Sequence, residues 1–95
     1  MSVFFLAGIT KILDDKMYKE YIQKASPIIK KYGREYIFKS NQIYPVSGDW
    51  DLKRTILIRF DSKKHVQDCF QSTDYQRIAH LRENSTVSKA IMIEE

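Results

Sequence analysis

Four side chains in the second half of the chain could form one anion-binding site: Trp50, Arg54, Tyr75 and Arg82. Guanidinium groups bind a carboxylate or phosphate through paired hydrogen bonds, and the two aromatic rings could flank the apolar part of a ligand. A structural interpretation is also open. In it, Trp50 closes one end of the fold and Arg82 pairs with a buried acid or a helix-end carbonyl, because an unpaired buried charge is very costly.

The two histidines and the lone cysteine are weaker indications of a functional site. Neither His65 nor His80 has a Cys, His or Asp at the spacing of a zinc ligand, so we predict no metal and no cofactor. His80 could reach a pocket near Arg82 and is retained as a candidate ligand-binding residue, with a surface position as the alternative. Cys69 occupies an apolar helical position and is predicted to be a small core residue rather than a nucleophile.

Composition limits the classes of function. The chain has 95 residues and a net charge of +4, and its 16 basic residues are interleaved with 12 acidic ones. This balance could attract anions but forms no long basic run, and the length argues against a large ligand cavity within one subunit. One cysteine allows no intrachain disulfide, which favours a reducing compartment. The apolar opening, Val3–Ile9, is too short to cross a bilayer and lacks a basic leader, so we predict a soluble cytoplasmic protein without membrane contact.

The first half of the chain predicts a strand, a helix and a second strand. Val3–Ile9 is continuously apolar, which is typical of a strand buried on both faces. A helix with one apolar face follows, beginning after Asp14 or Asp15 and ending at Gly33, for which we predict the left-handed conformation. Glu35–Ser40 is predicted as the second strand, and the polar connection after it as a hairpin arm or ordered loop.

The second half predicts the central strand and the remaining elements. Arg54–Phe60 is rich in β-branched residues and follows turn residues, so it is predicted to be a strand. Ser62 can cap a short helix, and Ser72 or Thr73 can cap another that carries Tyr75 and Arg82 on its inward side. A final strand over residues 87–93 closes the fold.

This order of elements predicts a ferredoxin-like α+β fold over residues 1–95 as one domain: βαββαβ, with a four-stranded antiparallel sheet and both helices on one face. Such a sheet should alternate apolar and polar residues when one face is wet. Here Val3–Ile9 is apolar on both faces, and Leu57 opposes Ile56 and Ile58 in the central strand. The uncovered face needs a partner, so we predict a homodimer of facing sheets, a dimeric α/β barrel.

The order of several short motifs resembles the uncharacterised family named domain of unknown function 1330, DUF1330, in the dimeric α/β-barrel superfamily. The motifs are Gly48–Arg54, Ile58–Ser62, Phe70–Gln76 and Arg82, with Asp14, Tyr18, Tyr21, Pro27 and Gly33 before them. The resemblance implies the fold and the dimer, and little about activity. The chain departs from the family pattern at Ser47 and Arg59, where members commonly carry acids, so a carboxylate available for chemistry is missing at those positions.

Two classes of function remain open after a third is rejected. The RNA-recognition motif shares this element order, but aliphatic residues replace its base-stacking aromatics in Arg54–Phe60, so we predict no nucleic-acid binding. The first hypothesis is a homodimer that binds a small carboxylate ligand in a cleft near Trp50. The alternative is a cofactor-free enzyme, monooxygenase- or isomerase-like, which would need a general base. His80, Asp49 and Asp51 are the only candidates for that base.

Overall fold

A computed structural model describes residues 2–95. The elements, in chain order, are β1 (Val3–Ile12), α1 (Asp15–Tyr32), β2 (Glu35–Ser40), β3 (Arg54–Phe60), α2 (Lys63–Gln71), α3 (Thr73–Gln76), α4 (Ala79–Ser85) and β4 (Thr86–Glu94). The strands form one antiparallel sheet in the order β2-β3-β1-β4. The predicted ferredoxin-like arrangement is confirmed, with β1 and β3 in the centre of the sheet.

The first helix has the predicted start and a different end. Asp14 is the N-cap, and its carboxylate accepts a hydrogen bond from the backbone N–H of Met17 at 3.0 Å. Gly33 is the C-cap but has a φ of −84°, so the predicted left-handed conformation is wrong. The glycine is needed there for another reason: a Cβ atom at this position would lie 2.9 Å from the carbonyl oxygen of Ile29.

The helix predicted to begin at Ser72 or Thr73 and to carry both Tyr75 and Arg82 is interrupted, and forms α3 and α4 instead. Ser72 caps α3 by accepting from the N–H of Tyr75 at 3.1 Å, but that helix ends at Gln76. At Ile78 the backbone leaves helical geometry (φ −114°, ψ −4°), and its N–H bonds to the Tyr75 carbonyl oxygen at 3.0 Å. The chain then re-enters a helix at Ala79. The break re-aims α4, which carries Arg82.

Two irregularities in the strands determine which side chains share a face. The β1–β4 pairing continues past the predicted end at Ile9 to Ile12, with a register shift between Ile9 and Lys11. A second shift lies between Tyr36 and Phe38 in β2. Because of this second bulge, Tyr36 and Lys39 are both paired with residues that face the helices, Ile58 and Ile56.

The two faces of the sheet have different surroundings. The helices cover one face and bury a core that includes Val3, Ile58 and Phe60 from the sheet. We call the opposite side the outer face. One row of apolar residues crosses all four strands there, in the order Phe38, Leu57, Leu6 and Ile91. Phe38 and Ile91 are 43% and 56% exposed, so no element within residues 2–95 covers the ends of this row.

Candidate functional site

A cavity of about 250 Å³ lies between α1 and the helix-facing side of the sheet. Its floor contains Ala7 and Ala90, which are cross-strand partners on the central strand β1 and the edge strand β4. Ile56 lies beside Ala7 in the same row, and Lys39 continues the row on β2. Two alanines side by side leave space that larger side chains would fill, and this space becomes the cavity below α1.

Arg54 and Tyr18 meet at the cavity with polar atoms that have no partner. Tyr18 is 6% exposed, and both residues line the cavity. The Tyr18 hydroxyl and the Arg54 Nε are buried and have no hydrogen-bond partner among the described residues. Burial raises the pKa of Tyr18, and the nearby Arg54 guanidinium offsets that rise only in part. The Tyr18 hydroxyl therefore stays protonated at neutral pH and is available to bind an acceptor.

A chain of hydrogen bonds lies on the helix side of the same cavity. The hydroxyl oxygens of Tyr21 and Tyr75 are 2.8 Å apart, and Arg82 Nη1 donates to the Tyr75 hydroxyl at 3.1 Å. The two rings meet edge to face. Burial, together with the Tyr75 hydroxyl, strongly raises the pKa of Tyr21. All three residues line the cavity, so this hydrogen-bonded series presents hydroxyl and guanidinium groups to the interior of the cavity.

The cavity lining is basic. Among the described residues that line it there is no Asp or Glu, and Lys39, Arg54 and Arg82 are basic. Lys89 also borders the cavity, but it pairs with Gly8, so its side chain lies on the outer face. The carboxylate that contacts Arg82 is that of Glu83, 3.7 Å from Nη2, and the Glu83 side chain is 62% exposed. Arg82 therefore lacks, within residues 2–95, the buried acid that the structural interpretation required. Like charges around one apolar space favour an anion between them.

The structure brings three of the five candidate residues together and leaves two outside. Arg54, Tyr75 and Arg82 line the cavity, whereas Trp50 and His80 are not in its lining. His80 is exposed on α4. Trp50 is 59% exposed, and its Nε1 donates to the Ser47 carbonyl oxygen at 2.7 Å.

The path of the loop before β3 explains the position of Trp50. Lys53 donates its backbone N–H to the Ile9 carbonyl oxygen at 2.7 Å, which fixes the end of the loop beside β1. Leu52 packs against Gly8, where a Cβ atom would lie 2.8 Å from a Leu52 methyl. Gly8 faces away from the helices, since its neighbours Ala7 and Ile9 face them. The loop therefore turns toward the outer face, away from the cavity.

Among the polar cavity residues that the sequence did not indicate are Tyr18, Tyr21 and Lys39. The two tyrosines lie three positions apart on the apolar face of α1, where they were assigned to packing alone. A buried tyrosine hydroxyl needs a hydrogen-bond partner, so two tyrosines on an apolar face were a usable signal. Lys39 had no such signal, because it reaches this face through the bulge in β2.

The remaining titratable candidates have structural surroundings. Cys69 is fully buried, and burial raises the pKa of its thiol to about 11. The Nδ1 of His65 lies 2.7 Å from the hydroxyl of Ser62, which caps α2. Across residues 2–95 there is no group of three or more His, Cys, Asp or Glu side chains that could hold a metal ion. None of the helices described has the length and hydropathy needed to cross a bilayer.

Solved structures share this fold at low sequence identity. A dimeric ferredoxin-like protein of unknown function from Jannaschia sp. CCS1 matches with a TM-score of 0.72 at 11% identity, covering 100% of both chains. A DABB family protein with a ferredoxin-like fold from Mesorhizobium loti MAFF303099 matches with a TM-score of 0.75 at 11% identity, covering 99% of this chain and 96% of the other. SnoaB, a cofactor-independent oxygenase from Streptomyces nogalater, matches with a TM-score of 0.70 at 7% identity, covering 99% of this chain and 92% of the other. These likenesses establish the fold alone.

Sequence comparison gives the family. No curated protein sequence matches the chain. The family model described as "Domain of unknown function (DUF1330)" matches residues 2–95. This match agrees with the resemblance carried by the Trp50 motif and the later helix motifs, and the fold agrees with the ferredoxin-like proteins above. The chain belongs to the DUF1330 family.

Proposed function

We propose that this protein binds a small carboxylic acid with an apolar body in the cavity between α1 and the sheet. The observation that carries the proposal is the pair of unpartnered buried donors, the Tyr18 hydroxyl and the Arg54 Nε, on one cavity. A buried donor without an acceptor costs about 1–3 kcal/mol. A carboxylate accepts from both groups at once, and its charge offsets that of Arg54.

The size and lining of the cavity set the size of the ligand. A protein cavity of ~150 Å³ accommodates benzene, and pockets for drug-sized ligands begin at ~300 Å³. A cavity of about 250 Å³ therefore suits one substituted ring or a short aliphatic chain. Phe5, Ile29, Ile56 and Phe70 provide apolar contact surface for such a body. The charged end of the ligand would lie at Arg54, so the proposed site is the cavity under α1 rather than a cleft beside Trp50.

The groups on the cavity support binding more directly than catalysis. A cofactor-free enzyme of the oxygenase or isomerase type needs a general base within hydrogen-bond reach of its substrate. The described lining residues offer guanidinium, ammonium and hydroxyl groups. The candidate bases His80, Asp49 and Asp51 are exposed and are not in the lining. We therefore propose binding of an anion and assign no reaction.

A thermal-shift screen tests the proposed binding. Benzoate-sized and short aliphatic carboxylates would be compared with their primary amides, which keep the shape and remove the charge. A ligand at about 100 times its Kd stabilises the folded state by about 2.7 kcal/mol, which for a domain of this size raises the Tm by roughly 10–20 °C. We expect at least one carboxylate to stabilise the protein and its amide to have little effect. Equal stabilisation by acids and amides, or by neither, would contradict the proposal.

We also propose that two copies associate through their outer faces. Apolar side chains cross all four strands there, and the row Phe38, Leu57, Leu6 and Ile91 has apolar neighbours in Phe4 and Ile93. A monomeric protein rarely exposes a continuous apolar patch of this kind. A second copy of the same face matches it in chemistry and satisfies twofold symmetry. The dimeric ferredoxin-like protein from Jannaschia sp. CCS1 supports this arrangement by analogy of fold.

The loop before β3 would contribute to that dimer. It is anchored on the outer face by Leu52 and projects three large apolar side chains: Tyr44, Val46 and Trp50, which are 78%, 98% and 59% exposed. Side chains of this type are unfavourable in water and enriched at interfaces. This arrangement gives Trp50 a role in contact with a second copy, at the end of the sheet nearest Gly8.

A further inference from the structure

The hydroxyl groups of Tyr21 and Tyr75, on the helix side of the cavity, carry two protons, and the hydrogen bond between them uses one of the two. Tyr21 and Tyr75 each carry one hydroxyl proton, and one proton makes the 2.8 Å bond between them. Arg82 adds a donor at 3.1 Å and cannot accept. Whichever tyrosine donates in the mutual bond, the other keeps a hydroxyl proton without a described acceptor. Both residues line the cavity, so a ligand there would meet that free proton.

This donor is separate from the pair proposed to hold the carboxylate. Tyr18 and Arg54 offer donors on the side where β3 begins, and Tyr21, Tyr75 and Arg82 offer theirs where α1 meets α3 and α4. All the side-chain polar groups on the lining can donate, and the acceptors among them are hydroxyl oxygens, because no Asp or Glu is among the described lining residues. A ligand oxygen that only accepts, such as a carbonyl oxygen, suits the second position better than a hydroxyl group, which would need an acceptor of its own.

We propose that the ligand is an oxo acid, whose carboxylate binds Arg54 and Tyr18 and whose carbonyl oxygen accepts the free hydroxyl proton of the Tyr21–Tyr75 pair. This proposal rests on the proposed function and narrows its ligand class. The carbonyl supplies the acceptor that the hydroxyl pair and Arg82 lack. It also gives the ligand two anchored ends, so Tyr21 and Tyr75 become determinants of specificity rather than packing residues.

Titration calorimetry with matched probes tests the inference. The ortho, meta and para acetylbenzoates would be compared with the isopropenylbenzoates, in which a methylene group replaces the carbonyl oxygen. We expect at least one acetyl isomer to bind about 10-fold more tightly than its isopropenyl partner, the effect of one hydrogen bond to a buried donor. In the double variant Tyr21→Phe/Tyr75→Phe this preference should disappear while the isopropenyl compound still binds. The double variant is needed because either tyrosine alone would keep a free hydroxyl proton.

The controls separate the outcomes. Tyr44→Phe removes a hydroxyl from the exposed loop, where it donates to Gln42 at 3.0 Å, and should retain the full preference. If both probe series bind the native protein and no isomer pair differs by more than about twofold, the oxo-acid proposal is overturned and carboxylate binding stands. If the double variant keeps the preference, the assigned donor is overturned. If neither series binds at all, both proposals fail together.

Discussion

Replacing Leu57 with aspartate on the outer face is expected to convert a dimer into a monomer. Leu57 lies in the centre of the row between Phe38 and Leu6, so a dimer through this face would bury two copies of the new charge. Burying an unpaired carboxylate costs several kcal/mol, which corresponds to a rise in the dimer Kd of at least about 1,000-fold. Sedimentation velocity at micromolar concentration should report about twice the 11.3 kDa chain mass for the native protein and one chain mass for Leu57→Asp.

A matched variant and a spectroscopic signal control this experiment. Gln67→Asp introduces the same charge on the exposed side of α2 and should remain dimeric. Trp50 is the only tryptophan, so its emission reports the loop before β3. The emission should shift to longer wavelength in Leu57→Asp and not in Gln67→Asp. A native protein that sediments as a monomer would contradict the dimer. An unshifted Trp50 emission in Leu57→Asp would contradict only the role of the loop in the dimer.

The substitution Arg82→Met is expected to weaken ligand binding with little loss of stability. In the structure Arg82 donates to the Tyr75 hydroxyl, and the acid that contacts it is the exposed Glu83. Losing one hydrogen bond of this kind costs about 0.5–1.5 kcal/mol, and methionine keeps much of the packing of the side-chain stem. Urea unfolding should therefore show a small decrease in the free energy of unfolding. Stabilisation by the best carboxylate of the screen should fall, because the cavity lining loses one of its positive charges.

A large loss of stability in Arg82→Met would indicate that Arg82 is a structural residue. If Arg82 pairs with a buried acid, its removal strands that acid and should cost about 3–5 kcal/mol. A loss of that size, together with unchanged stabilisation by carboxylates, would restore the structural interpretation. Arg77→Met is the control, since Arg77 is exposed at the break between α3 and α4 and is not in the cavity lining. The free energy of unfolding of Arg77→Met and its stabilisation by carboxylates should match those of the native protein.

Much of the fold followed from patterns with a single physical meaning. The apolar faces of Val3–Ile9 and of the central strand predicted the sheet, because side chains alternate between faces in a strand. Asp14, as one of two candidates with Asp15, and Ser62 were predicted as caps because short polar side chains satisfy free N–H groups at helix starts. The break at Ile78 was not predictable, since Tyr75 to Arg82 has helical spacing on both sides of it. The contact between Tyr75 and Arg82 survives this break.

The candidate site was predictable only in part. Arg82 was identified because a charged residue on an otherwise apolar helical face needs a partner. Arg54 was identified as the arginine that enters the central strand just after Trp50, and both line the cavity. The cavity itself depends on register: Ala7 meets Ala90 only in the observed pairing of β1 with β4. Register is set by the whole sheet, and a shift of one residue would turn these side chains to the other face. The position of Trp50 likewise depends on the loop contact between Leu52 and Gly8, which are distant in sequence.

The most direct test of the central proposal is a calorimetric titration of the native protein and Arg54→Met with the carboxylate that stabilises the protein most. Arg54 lines the cavity and holds a buried Nε without a partner among the described residues, so we assign it the charge-assisted bonds to the ligand. Such bonds contribute about 1.5–3 kcal/mol, so we predict that Arg54→Met weakens binding by about 10- to 150-fold. Arg77→Met should bind as the native protein does. Equal affinity in the native protein and Arg54→Met would contradict the assignment of this cavity as an anion site.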